Sequence, residues 1–182
     1  ADSSESAGAN GSDQVLNLVE SAEIPTMDSV QATDTVAFTA LSNVNEGLYR
    51  QGLDGTVELG IAAEDPTVSE DGLVYTFTIR DEANWSNGEP VTAEDFVYSW
   101  RKLVDPAEAA SYSYMMAGVI ANATEIIDGA VAPEELGVKA IDEKTLEITL
   151  TSPVPYFKDL LTLAMFFPQN QAFVEEQGDQ YA

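Results

Sequence analysis

The 182-residue chain carries 32 acidic and 7 basic side chains, for a net charge of −25, and 45% of its residues are hydrophobic. That is enough apolar material for the core of one ordinary domain. The charge repels phosphate backbones and anionic headgroups, which excludes direct nucleic-acid binding. Cys and His are both absent, so thiol catalysis, disulfides, a Ser-His-Asp triad and His- or Cys-liganded zinc are excluded within this chain.

Ala1 to Asp13 holds only small and polar residues. Such a segment cannot bury enough apolar area to offset its ordering entropy, and it reads as a flexible tether ahead of a folded unit over residues 14–182. Val15 to Val19 is an apolar run of strand length, and Ser21 to Asp34 is loop-like. From Thr35 to Tyr49, the positions of Val36, Phe38, Leu41, Val44 and Leu48 predict a helix. Thr56 to Ile61 is a candidate short strand, followed by a turn-rich bend over Asp65 to Gly72.

Val74 to Arg80 alternates aromatic and β-branched residues and predicts a strand. Asn84 to Gly88 is a turn. Thr92 to Val104 predicts a helix, with Thr92 and Asp95 spaced as a capping box and Phe96, Val97, Trp100, Leu103 and Val104 on one face. Pro106 ends it. Gly137 to Ile141 and Thr145 to Leu150 flank Asp142, Glu143 and Lys144 as a hairpin. Pro153 and Pro155 stop its second strand. Tyr156 to Met165 predicts a buried helix, and Gln169 to Gln177 a short polar one closed by Gly178. Strands and helices do not alternate regularly, which points to an α+β, mixed architecture rather than a parallel barrel.

Chemistry-bearing patterns are sparse. Acidic residues fall in adjacent pairs such as Glu94 and Asp95, whose side chains diverge, whereas a glycosidase needs two carboxyls facing each other across a cleft. Neither an EF-hand loop nor a phosphate-cradling glycine motif occurs. No catalytic residue, metal ligand or cofactor site is assigned. The longest apolar run, Leu160 to Phe167, is interrupted by Thr162 and falls short of the ~20 residues of a membrane-spanning helix. Among the aromatics, Trp100 and Trp85 read as packing. Tyr112 lies in a stretch of small residues outside any amphipathic pattern, so packing and ligand contact both stay open for it.

Around Gly72 to Pro106, the string DGLVYTFTIRDEANWSNGEPVTAEDFVYSWRKLVDP resembles the signature region of the family 5 extracellular solute-binding proteins, the oligopeptide- and dipeptide-binding lipoproteins of ABC importers. The resemblance extends upstream to LNLVESAEIPTMDSVQATD and EGLYRQGLDG, and downstream to GVKAIDEKTLEITLTSPVPYF. It implies a two-lobed periplasmic-binding-protein-like fold (type II, cluster C), of which this chain would be the N-terminal part of lobe I, with the second lobe absent. It also implies a non-enzymatic role, the capture of extracellular oligopeptides and their delivery to the importer's permease subunits.

Carried over by position, the strip that pairs with the peptide main chain falls at Ala32, Thr33, Asp34 and Thr35, and the tyrosine that approaches the peptide at Tyr112. The family often has an acidic residue where Thr33 stands, and Asp34 is the neighbour that could replace it. The tether and the family together suggest an N-terminal lipid anchor on a Gram-positive cell surface, with a periplasm as the second choice. A receptor of the same family for peptide pheromones, for a nickel chelate, haem or sugar, or for signalling rather than import, stays open. A carboxylate-based hydrolase is the least favoured reading.

Overall fold

The computed structural model describes residue 17 and residues 19–182, except the Asp179 side chain. The tether lies outside the described residues, as do Val15, Leu16 and Leu18 of the first predicted strand; Asn17 and Val19 belong to no strand.

Helix α1 spans Thr35–Val44. Two short strands, β1 (Tyr49–Gln51) and β2 (Val57–Leu59), pair antiparallel with Tyr49 opposite Leu59. The predicted helix through Tyr49 therefore ends early. The Asn45 amide closes it on the Leu41 carbonyl. Beyond it the chain presses Gly47 against another segment, where a Cβ would lie 2.8 Å from Phe167 Cδ1 and 2.9 Å from the Leu161 carbonyl oxygen. Leu48 and Tyr49, which continue the helical period in sequence, are instead buried on the entry to a strand.

Strands β3 (Thr67–Val68) and β4 (Val74–Thr78) precede the long helix α2 (Ala93–Val104) and the short helix α3 (Ala123–Ile127). The hairpin follows as β5 (Val138–Ala140) and β6 (Thr145–Thr149). These strands form one antiparallel sheet in the order β3-β4-β6-β5. Phe77 sits opposite Leu146, and Tyr75 opposite Ile148. Cross-strand partners share a face, so these four residues build one side of the sheet. On that side Phe77, Leu146 and Ile148 are fully buried.

Helix α2 packs against β5 and β6 through the apolar stripe read from its sequence, with Phe96, Trp100 and Leu103 all at 0% exposure. Each such burial stabilises by roughly 1.5–3 kcal/mol relative to exposure. At its start, Asp95 Oδ2 accepts from the Thr92 amide at 2.8 Å, as a capping box requires, and from the Trp85 indole Nε1 at 3.1 Å. One carboxylate thus fixes both the helix start and the turn before it. Burial pushes the Asp95 carboxyl above the ordinary aspartate range, against the hydrogen bonds from Thr92 and Trp85 that favour its charged form.

The predicted helix over Tyr156 to Met165 divides into α4 (Phe157–Leu160) and a 3-10 turn at Ala164–Phe166. Ala164, Met165, Phe166 and Phe167 are buried in succession, and one helical face cannot bury four consecutive side chains. Helix α2 holds this segment down. Trp100 Nε1 donates to the Phe166 carbonyl at 2.9 Å, and Ser99 Oγ donates to the Phe167 carbonyl at 2.7 Å. The last helix, α5 (Gln171–Gln177), is capped by Asn170 and followed by Gly178.

Candidate ligand-binding strip

The segment Thr26–Asp34 reads as loop in the sequence, and it has no regular secondary structure in the fold. It is nevertheless anchored in detail. Asp28, 7% exposed, accepts from Lys102 Nζ of α2 at 2.8 Å through Oδ2. Its Oδ1 accepts from Gln169 Nε2 at 2.6 Å and from the Val30 amide at 2.9 Å. Gln169 also donates to Ser29 Oγ at 3.0 Å. The Asp28 carbonyl accepts from the amides of Gln31 and Ala32, which turns the chain sharply just before the strip. Tyr181 lies with its ring 5.4 Å from Lys102 Nζ, and burial together with the Asp28 charge pushes its hydroxyl up to about 12.

Beyond this anchor, Ala32 is fully buried against Ala37, Leu41 and Phe167, so its side chain faces the core and not a ligand. Thr33 and Thr35 are exposed, and Asp34 is half-buried. Asp34 caps α1: its Oδ1 accepts from the Ala37 amide at 3.0 Å. Asp34 Oδ2 has no protein partner among the described residues. The same holds for the Ala32 carbonyl and for the amides of Thr33, Asp34 and Thr35. A short run of main chain therefore presents unpaired donors and an acceptor beside an exposed surface. Such groups are either solvated or paired by an incoming strand.

Tyr112 comes to this strip from 79 residues away, with its hydroxyl 3.5 Å from the Thr33 carbonyl. Its ring lies 5.8 Å from Phe38 of α1 and 6.0 Å from Tyr114, which is 59% exposed. Gln31 Nε2 donates to the Glu108 carbonyl at 2.9 Å and tethers the strip to the same loop. The fold thus brings together all five residues proposed from sequence, although Ala32 can offer only its main chain. Phe38, Glu108 and the Asp28–Lys102 pair were not identified from sequence. Phe38 reads there as one more apolar helix position, and Asp28 as one acid among 32.

Two open grooves of about 810 and 930 Å³ flank the C-terminal half of α1, sharing Ser42, Asn45, Glu46 and Arg50. Neither is lined by the strip or by Tyr112. The strip lies on an open surface. Among the described residues no group of three His, Cys, Asp or Glu is placed to hold a metal ion.

Three known proteins are similar to this chain. The dipeptide-binding protein of Lactococcus lactis is 40% identical over 159 residues, covering 87% of this chain and 28% of the relative. The periplasmic oligopeptide-binding protein OppA of Escherichia coli is 40% identical over 169 residues, covering 92% of this chain and 31% of the relative. The structure of Listeria monocytogenes OppA bound to peptide superposes with a TM-score of 0.90 at 50% identity, over 93% of this chain and 33% of that one. The chain thus spans about a third or less of the length of each of these three proteins, and over that span its fold is the OppA-type binding-protein fold. Residues 56–182 match the family model of bacterial extracellular solute-binding proteins, family 5 Middle, and the chain belongs to that family.

Proposed function

We propose that these residues form one wall of the peptide cleft in an extracytoplasmic receptor that captures oligopeptides for an ABC importer. The observation that carries this is the strip Thr33 to Thr35. It offers unpaired main-chain groups on an exposed surface, is held from behind by Asp28 and α1, and is flanked by Tyr112. Main-chain pairing of this kind binds an extended peptide without reading its sequence. The names of the relatives, dipeptide- and oligopeptide-binding proteins, support the same ligand class.

In this reading the opposing wall of the cleft belongs to a second lobe. The small, polar Ala1 to Asp13 segment serves as the tether to a lipid anchor on a Gram-positive surface. The role is capture and release rather than catalysis.

The experiment is to purify the intact gene product and load it with a mixed peptide library. Retained ligands are then identified by mass after gel filtration. Retention of peptides of varied sequence supports the reading. Retention of a sugar, haem or metal chelate in place of any peptide contradicts it.

A further inference from the structure

We infer that this wall biases the site toward peptides of net positive charge; the inference rests on the peptide-receptor reading above. All seven cationic side chains of the sequence are already committed within the protein. Five sit in ion pairs with carboxylates. The other two, Arg101 and Lys144, donate to the carbonyls of Glu134 and Val91. None of the seven pairs with Asp34, Glu108 or the strip, so the acids of this wall have no cationic partner among the described residues.

The acids beside the strip are in the opposite condition. Asp34 uses Oδ1 as a helix cap and leaves Oδ2 open. Glu108 has only a 3.5 Å contact from the neutral Gln31 amide. Its charge is also felt by Tyr98, whose hydroxyl is raised first by burial and then by the charges of Glu175, Glu108 and Asp28. A ligand lying on the strip meets this uncompensated negative field over a low-dielectric wall, which focuses it.

The rings add a second, independent contribution. Phe38, Tyr112 and Tyr114 form a continuous ladder ending at the exposed Tyr114. Aromatic faces attract Lys and Arg side chains through the ring quadrupole and offer no such attraction to Asp or Glu. Field and ladder point to the same ligand class.

The test uses the intact protein, freed of endogenous peptide, and three pentapeptides: all-alanine, the same with a central lysine, and the same with a central glutamate. Affinities are measured at about 0.01 M and about 1 M salt, where the screening length falls from about 30 Å to about 3 Å. The lysine peptide is expected to bind about tenfold more tightly than the glutamate peptide at low salt, with the ratio falling at high salt.

Glu108→Gln should lower that ratio by about two- to threefold, an effect typical of one exposed charge. Asp34→Ser should lower it similarly, because serine keeps the helix cap while removing the charge. Tyr114→Ala should reduce the lysine peptide's advantage even at high salt. Equal affinities for the lysine and glutamate peptides overturn the inference and leave the receptor reading standing. A preference that none of the three variants moves also overturns it, since the wall is then not its source. Failure of all three peptides to bind removes both.

Discussion

The sheet with α2 and the segment Thr26–Asp34 are held by different physics. Around Trp100, Phe77 and Leu146, dozens of weak apolar contacts share the load, and the elements declare themselves locally by period and cap. In the strip-bearing segment there is no regular structure; Val30 and Ala32 are buried in the core, and a few directed bonds fix the rest. These are Lys102 and Gln169 to Asp28, Gln31 to Glu108, and Asp34 to the first turn of α1. The first kind of region tolerates the loss of one contact but is costly to hollow out. The second is brittle: removing one partner releases a stretch of main chain. For a binding wall, that brittleness accompanies a useful property, because directed bonds fix main-chain groups in place while leaving their outer faces unpaired.

The largest break in this comparison should come from Trp100→Ala, which empties the core beneath α2 and frees the Phe166 carbonyl. The expected loss is ~3–5 kcal/mol, read as a lower denaturant midpoint with faster amide exchange throughout the sheet. Next is Lys102→Met. It leaves the Asp28 carboxylate, 10% exposed at its side chain, without its counter-ion, at a cost of ~3 kcal/mol. Here the accelerated exchange should concentrate in residues 26–34 while β4 and β6 stay protected. If both variants loosen the whole molecule equally, the two regions are one cooperative unit and the contrast fails.

A smaller effect is expected from Asp34→Ala, which removes the α1 cap at a cost of ~1 kcal/mol; Asp34→Ser should recover most of it in the same denaturant titration.

The smallest effect concerns alkaline pH. The Tyr181 hydroxyl stands at about 12 in the fold against an ordinary 10.0. Between these values the unfolded chain loses its proton first, so this contribution is complete below pH 10 and is lost as pH rises toward 12. Burial and the charge of Asp65 raise Tyr49 as well, and Tyr98 is raised mainly by burial. Tyr181→Phe should therefore flatten part of the alkaline fall in melting temperature without abolishing it. An unchanged alkaline slope would show that Tyr181 does not report on the Asp28 anchor.

What could be read from sequence divides along the same line. Strand β4, the β5–β6 hairpin and the Thr92–Asp95 cap are set by neighbours within a few residues, so pattern alone located them. The end of α1 depends on Gly47 meeting Leu161 and Phe167, and the broken Tyr156–Met165 segment depends on Trp100 and Ser99. These contacts come from distant residues, and helical spacing continued misleadingly past both boundaries. The Asp28–Lys102 pair spans 74 positions and has no local signature in a chain so rich in acids. The strip itself was placed by its resemblance to a family motif. Composition and periodicity alone gave no reason to prefer Thr33 over any other exposed threonine, and the open main-chain groups became visible only with the fold.

Amide hydrogen exchange on the intact protein, with and without a bound peptide and resolved to single residues in the strip, reads directly whether the strip pairs with the ligand. Peptide should slow exchange at Thr33, Asp34 and Thr35, whose amides lack partners among the described residues, while β4 and α2 remain as protected as before. Peptide binding with unchanged exchange at these three amides, and new protection confined to the grooves flanking the C-terminal half of α1, would place the ligand elsewhere and rule out pairing with the strip.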